Sequence, residues 1–238
     1  MITLYHAFNA RSFRPLWALE ALGVPYELKM LPFPPRVLAK DYLAINPLGT
    51  IPALIEGDLR MTESAAICQY LADRHGQGTL SVAPGDPEYG AYLNWLHFGE
   101  ATLTFPQTLV LRYRRFEKDR APLAADDYAK WFLARARAVG PSLDKGFICA
   151  GRFTAADIAM GYAFKLAGLI GLGDDLPEPA KATGPASRTS PATPRPRPRR
   201  RRRPRRRGWG RAGSLAARPG GGRHNHRKIT VNYGGGWG

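Results

Sequence analysis

Residues 46–72 read NPLGTIPALIEGDLRMTESAAICQYLA, a segment that predicts a turn, a β-hairpin and a helix in succession. The Asn-Pro-Leu-Gly sequence at its start favours a turn, and Glu-Gly-Asp at 56–58 separates two runs of strand-forming residues. We therefore expect strands over residues 51–55 and 59–61, antiparallel to each other. Ser64 predicts the start of the following helix, because its hydroxyl can cap the first turn and apolar residues follow at helical spacing.

Two strands and two helices are expected ahead of this segment. Ile2–His6 and residues 25–30 both have the length and composition of strands. Between them, Ser12 predicts the start of a helix and Gly23 its end, and a shorter helix is expected over residues 36–43. The order β-α-β-α-β-β-α predicts a thioredoxin-like α/β domain in which the first two strands are parallel.

The rest of the folded chain has helical periodicity only. A long helix is expected to kink at Pro106, and a second one covers residues 126–139 and ends at Gly140-Pro141. Thr154 and Asp157 predict a capping box at the start of a buried central helix. The fold class is therefore α/β plus all-α. The predicted segments are an α/β domain at 1–77, a linker at 78–87, a helical domain at 88–176 and a tail at 177–238.

The net charge of +16 is confined to the end of the 238-residue chain. Residues 1–176 hold 18 Lys and Arg against 18 Asp and Glu, whereas residues 177–238 hold 17 bases and one acid. A neutral body has no electrostatic footprint for phosphate backbones, so no specific nucleic-acid partner is expected for it. The tail is rich in Arg, Pro and Gly and poor in large aliphatic residues, which predicts disorder.

Two interpretations of the tail are open. Its composition is what a shifted reading frame of a GC-rich gene would give, and in that case the helical domain is incomplete. We then expect Leu166, Leu169 and Ile170 of the central helix to be exposed, because covering helices are missing. Alternatively, the tail is an arginine-rich arm that binds polyanions in a salt-sensitive and sequence-blind way.

Cysteine content and hydropathy predict in which cellular compartment the protein resides. Cys68 and Cys149 form neither a CxxC pair nor a disulfide framework, which favours a reducing compartment and a buried, apolar role for both. The sequence has no signal peptide and no apolar run of membrane-spanning length, so we expect a cytoplasmic protein with no membrane partner. No group of His, Cys and carboxylate residues has metal-ligand spacing, and no metal is expected.

Residues 46–54, residues 62–67 and the capping box at 153–157 together resemble the glutathione S-transferase superfamily, and the resemblance covers about residues 1–174. It implies a thioredoxin-like domain that binds glutathione and a helical domain that supplies the pocket for an electrophile. It also implies a homodimer and an enzyme that conjugates the glutathione thiolate to small hydrophobic electrophiles. Glutathione is then a cosubstrate, and no cofactor is expected.

Four residues are candidates for binding glutathione. The first N–H groups of a helix that starts at Ser64 can hold the γ-glutamyl carboxylate, and the Ser64 hydroxyl adds a donor. Glu63 can contact the ligand's ammonium group or only fix the turn. Pro52 after Ile51 resembles the cis-proline of the superfamily, which would turn the N–H and C=O of Ile51 toward the cysteinyl part of the ligand.

Catalysis needs a group that favours the thiolate over the thiol, because the thiolate is the nucleophile. The resemblance places this group in the loop after the first strand, where the aligned position is Ala10, which has no donor. The remaining candidates, in order, are Ser12, Arg11, Asn9 and Tyr5. The missing donor leaves a second hypothesis open, in which the chain is a non-catalytic glutathione-binding scaffold.

Overall fold

A computed structural model of the chain describes residues 1–118, 120–144 and 146–182, which all belong to one compact unit. Its first part comprises β1 (Ile2–His6), α1 (Phe13–Leu22), β2 (Tyr26–Met30), α2 (Pro35–Leu38), a 3-10 helix (Lys40–Ala44), β3 (Ala53–Glu56), β4 (Leu59–Met61) and α3 (Ser64–His75). This order confirms the predicted thioredoxin-like arrangement. The predicted tail from residue 183 onward lies outside the described residues.

The sheet has the strand order β2-β1-β3-β4, and β1 and β2 are parallel as predicted. β3 is antiparallel to both of its neighbours, with Ala53 opposite Tyr5 of β1 and Leu54 opposite Met61 of β4. The end of β1, the start of β3 and the end of β4 therefore meet at the same end of the sheet. We call this end the upper edge, and it consists of residues 7–12, 51–52 and 63–64.

Two hydrophobic clusters hold the sheet. The larger one packs α1 and α3 against inward residues of β1 and β3, and it extends into the helical part. The smaller one is formed by Ala7, Ala10, Tyr42, Ile51 and Ala53. Gly23 ends α1 in the left-handed conformation, as predicted. Ser12 occupies the N-cap position of α1 but makes no side-chain cap bond, so its predicted capping role is wrong.

The second part of the chain is helical. Its elements are α4 (Tyr89–His97), a π-helical segment (Phe98–Thr104), α5 (Phe105–Leu111), a second π-helical segment (Arg112–Phe116), α6 (Pro122–Leu143), α7 (Ala155–Leu169) and α8 (Glu178–Ala182). The disturbance expected at Pro106 appears as the π-helical segment ahead of it, since Pro106 lies in the first turn of α5. The predicted helix end at Gly140-Pro141 is wrong, because α6 continues to Leu143 and Pro141 removes only one bond of its last turn.

The capping box predicted at Thr154 and Asp157 is confirmed. One carboxylate oxygen of Asp157 accepts the Thr154 N–H at 2.8 Å, and the other accepts the Ile148 N–H at 2.9 Å. α7 is buried along most of its length. Leu169 is 37% exposed, but Leu166 is only 5% exposed, so its expected exposure is wrong. Leu166 belongs to the larger cluster, which also includes Leu172 and Leu176 from the residues after α7.

The folded part of the chain extends beyond residue 176. Ala180 on α8 is fully buried in the larger cluster, so the predicted start of the tail is wrong for residues 178–182. The short helix is held there by burial of this small side chain rather than by its own length. None of the helices in the described ranges is long and apolar enough to cross a membrane.

Candidate functional site

The upper edge brings together the three segments in which the sequence places site residues. The strand register puts residues 51–52 between the loop at 7–12 and the start of α3 at 63–64. Ile51 and Ser64 are 7% and 3% exposed. Their neighbours Thr50 and Glu63 are exposed, so the edge itself reaches the protein surface.

The bend before β3 is held by side chains that fix the carbonyl of Thr50. The Asn46 amide donates to this oxygen at 2.9 Å, and the Tyr42 hydroxyl donates to it at 2.8 Å. The peptide bond between Ile51 and Pro52 is cis, as the resemblance described above implies. These contacts keep the segment that carries Ile51 in a defined position beside the loop after β1.

The start of α3 differs from the prediction. Glu63 is the N-cap residue, in an extended conformation, and its side chain makes no cap bond. Ser64 is the first helical residue and not the N-cap, and its hydroxyl oxygen accepts a hydrogen bond from Nη1 of Arg14 at 3.0 Å. The positive end of α3 at Ser64 therefore keeps its affinity for an anion.

Arg14 of α1 is fully buried and connects α3 to the helical part of the chain. Its two terminal nitrogens donate to five oxygens, which are Oγ of Ser64, Oγ1 of Thr104, Oε2 of Glu100 and the carbonyl oxygens of Gly99 and Ala159. The guanidinium also lies 4.5 Å from the centre of the Tyr162 ring. We call Arg11, Arg14, Ser64, Glu100 and Thr104 the Arg14 cluster.

Glu100 is shared by two cations of this cluster. It accepts from Arg14 and also from Nε of Arg11, the latter at 2.7 Å. Burial opposes ionisation of the Glu100 carboxyl, but the guanidinium groups of Arg14 and Arg11 outweigh it and hold the pKa of the carboxyl below its usual range. Two guanidinium groups facing one carboxylate leave the cluster with an excess of positive charge next to the upper edge.

The structure separates the four candidates for thiol activation. Ser12 is fully buried, and its hydroxyl accepts from the N–H of Ala7 at 3.2 Å, so it ties the loop together. Tyr5 packs its ring on that of Tyr42, with 5.3 Å between the ring centres, beside the smaller hydrophobic cluster. The Ser12 hydroxyl is therefore committed to the backbone of Ala7.

Asn9 is exposed, Arg11 and Tyr5 are half-buried, and only Ser12 is fully buried. Asn9 is exposed and adopts a left-handed backbone conformation with a φ of 58°. Its carbonyl oxygen accepts the Tyr162 hydroxyl at 3.2 Å, so α7 fixes the conformation of the loop. The Arg11 side chain is 28% exposed while it is paired with Glu100. These two residues present polar hydrogens at the surface of the upper edge.

Cysteine and metal chemistry have no support in the described ranges. Burial raises the pKa of the Cys68 thiol to about 12, which keeps it protonated at neutral pH. Cys149 is 6% exposed, and burial also raises the pKa of its thiol. Both cysteines are therefore buried apolar groups, as predicted. Within residues 1–182, apart from Asp119 and Lys145, no group of His, Cys and carboxylate residues could hold a metal ion.

Similarity to known proteins covers both parts of the described chain. The family model "Glutathione S-transferase, N-terminal domain" matches residues 1–73. Among solved structures, the chain is similar to the glutathione transferase URE2P6 from Phanerochaete chrysosporium, crystallised in complex with oxidized glutathione. The two are 30% identical with a TM-score of 0.67, over 76% of this chain and 87% of that one. This chain belongs to the glutathione S-transferase superfamily.

Matches to curated relatives in the superfamily are shorter. Glutathione S-transferase 3 of Schizosaccharomyces pombe is 36% identical over 103 residues, which is 43% of either chain. Glutathione S-transferase F10 of Arabidopsis thaliana is 34% identical over 113 residues, or 47% of this chain and 52% of that one. The chain thus spans about half the length of these curated relatives.

Sequence reasoning missed three residues of the Arg14 cluster, which are Arg14, Glu100 and Thr104. From the sequence alone, Arg14 is expected to be exposed to solvent, because arginine is seldom fully buried. The available signal was helical spacing, since Arg14 lies three and four residues before Trp17 and Ala18, both of which are buried. Its partners in the other elements are 50 to 145 residues away in the chain, and no local pattern reveals them.

Proposed function

We propose that the chain is a glutathione transferase that binds glutathione at the upper edge and transfers its thiolate to small hydrophobic electrophiles. The observation that carries the proposal is the start of α3, where Ser64 opens a helix that the Glu63 side chain does not cap. Such a helix end attracts a carboxylate. Membership of the superfamily supports glutathione as the source of that carboxylate.

In this proposal glutathione lies across the edge in an extended conformation. Its γ-glutamyl carboxylate contacts Ser64 and the first N–H groups of α3, and its ammonium group contacts the exposed Glu63. Its cysteinyl part pairs with the backbone of Ile51, as an added strand would. The register of β3 and β4 supports this placement, because it brings the two contact regions to the same end of the hairpin.

Thiol activation is assigned to Arg11 and Asn9 rather than to Ser12 and Tyr5. Arg11 and Asn9 are at the surface of the loop, whereas Ser12 is buried and Tyr5 packs on Tyr42. The positive excess of the Arg14 cluster lowers the free energy of a nearby thiolate relative to the thiol. The thiolate then attacks the electrophilic carbon and, with an aryl halide, expels the halide ion.

Turnover of a chromogenic aryl halide with glutathione by the full-length chain tests this proposal. We expect saturable conjugation, with kcat/KM reduced about tenfold or more in Arg11→Ala and in Asn9→Ala. Arg137→Ala is the matched control, because Arg137 is exposed on α6. A chain that is neither retained on immobilised glutathione nor able to conjugate the halide would contradict the proposal.

We also propose that the chain is a cytoplasmic homodimer. Light scattering on the full-length chain measures the oligomeric state.

A non-catalytic glutathione-binding scaffold is the second candidate. It is favoured by Ala10, which supplies no donor, and by Ser12, whose hydroxyl is bound to Ala7 inside the loop. A scaffold would be retained on immobilised glutathione and would show no conjugation above the rate without protein. The same pair of measurements therefore separates the two candidates.

A further inference from the structure

The contact between Arg14 and Ser64 fixes the direction of a hydrogen bond. A guanidinium can only donate, so the Ser64 oxygen is the acceptor in their 3.0 Å contact. A hydroxyl that accepts in this way still has one hydrogen to donate. Among the described residues, none accepts that hydrogen, and Ser64 is only 3% exposed.

The position of Ser64 defines which acceptor suits that hydrogen. Ser64 begins α3, a helix of 12 residues, and the positive end of such a helix favours an anion. A carboxylate accepts hydrogen bonds and carries the required charge. Arg14 itself is held in place by Thr104, Gly99 and Glu100, so its contact with Ser64 is fixed from the helical part of the chain.

We propose that Arg14 is a positioning residue that commits the Ser64 hydroxyl to donate to the α-carboxylate of the γ-glutamyl group. This inference rests on the proposed binding of glutathione at the upper edge. Arg14 does not touch the ligand, because it is fully buried behind Ser64. It acts by donating to one lone pair of the Ser64 oxygen, which turns the hydroxyl hydrogen away from α1 and leaves it for the ligand.

The test compares two probes by calorimetry on the full-length chain. One is glutathione, and the other is 4-aminobutyryl-cysteinyl-glycine, which keeps the amino group and lacks only the α-carboxylate. We expect the wild type to bind glutathione about tenfold or more tightly than the analogue. Ser64→Ala and Arg14→Met should each lower this ratio by about threefold or more without abolishing it, because the first N–H groups of α3 still hold the carboxylate, and the double variant should lower it no further than Ser64→Ala alone. Arg137→Met is the matched control and should keep the wild-type ratio.

A purely structural role of Arg14 predicts a different result. Arg14→Met would then weaken both probes by the same factor and leave the ratio unchanged, which overturns the inference alone. A wild-type chain that binds neither probe overturns the proposed function together with it. The ratio therefore distinguishes failure of the positioning role from failure of glutathione binding.

Arg14 makes so many buried contacts that Arg14→Met can fail to fold, which circular dichroism would reveal. In that case a crystal structure of the full-length wild type with bound glutathione tests the inference. The inference requires the Ser64 oxygen to lie within hydrogen-bond distance of both Arg14 Nη1 and the α-carboxylate. A Ser64 hydroxyl that has left either partner in that complex would overturn it.

Discussion

Glu100 places one carboxylate between the guanidinium groups of Arg11 and Arg14. Glu100→Gln removes its negative charge and leaves the buried Arg14 without charge compensation. We expect a loss of about 2 kcal/mol in the free energy of unfolding at pH 7, measured by urea denaturation. Glu27→Gln is the control, since Glu27 forms a surface pair with Lys29 and should leave stability near the wild-type value.

The stability difference between the wild type and Glu100→Gln should depend on pH. The pKa of Glu100 is lowered in the folded state, so its ionised form contributes stability above the unfolded pKa of about 4.3. That contribution is lost as pH falls through the folded pKa. The difference should therefore narrow in acid below about pH 4.3. A stability difference between the wild type and Glu100→Gln that stays constant from neutral to acid pH would contradict the assignment of an ionised carboxylate to Glu100.

The same scale explains where prediction from sequence fails. Asn9, Arg11 and Ser64 could be named as candidates because they lie in short segments whose turn or helix start is visible in the sequence. Ser64 was assigned as a cap because that is the ordinary role of a serine before an apolar helix, whereas the helix begins at Ser64 itself and Glu63 is the N-cap residue. Arg14 was not named, because its partner Ser64 lies 50 residues away in the chain.

At the scale of elements, the contact between the π-helical segment and α7 depends on Gly99. A Cβ on Gly99 would lie 2.7 Å from the carbonyl carbon of Ala159 in α7. We expect Gly99→Ala to destabilise the chain by about 1–3 kcal/mol in thermal or urea unfolding, because backbone must move. The substitution would also disturb the Gly99 carbonyl, which accepts from Arg14 at 3.1 Å.

Gly90→Ala is the matched control for this prediction. Gly90 lies in α4 with open space around its Cβ position, so alanine there should stabilise the helix by up to about 1 kcal/mol. The two substitutions have the same chemistry and differ in the space available. Equal stability of the two variants would show that α7 does not approach Gly99 as described.

Elements whose signals are local were predicted well. The strand at Ile2–His6, the end of α1 at Gly23 and the capping box of Thr154 and Asp157 all depend on neighbours within a few residues. The continuation of α6 through Pro141 and the burial of α8 were not predicted, since both depend on packing between distant elements. Pro141 alone indicates a helix end, and its position in the last turn is known only from the fold.

At the scale of the whole molecule, charge divides the chain into a neutral body, which carries the candidate site, and a basic tail. The body through residue 176 has equal numbers of basic and acidic residues, and the basic excess lies in 177–238. Most of that segment is outside the described residues, so the two interpretations of the tail stand as sequence-based hypotheses. The site at the upper edge involves none of these residues and can be tested in the intact chain.

Calorimetric titration of the full-length chain with glutathione tests the central claim, that the start of α3 at the upper edge holds the ligand's carboxylate. We predict saturable binding of one glutathione per chain and an affinity at least about tenfold lower in Ser64→Ala. Ser142→Ala, on α6 and away from the upper edge, should bind as the wild type does. No binding by the wild type, or equal binding by Ser64→Ala, would contradict the claim.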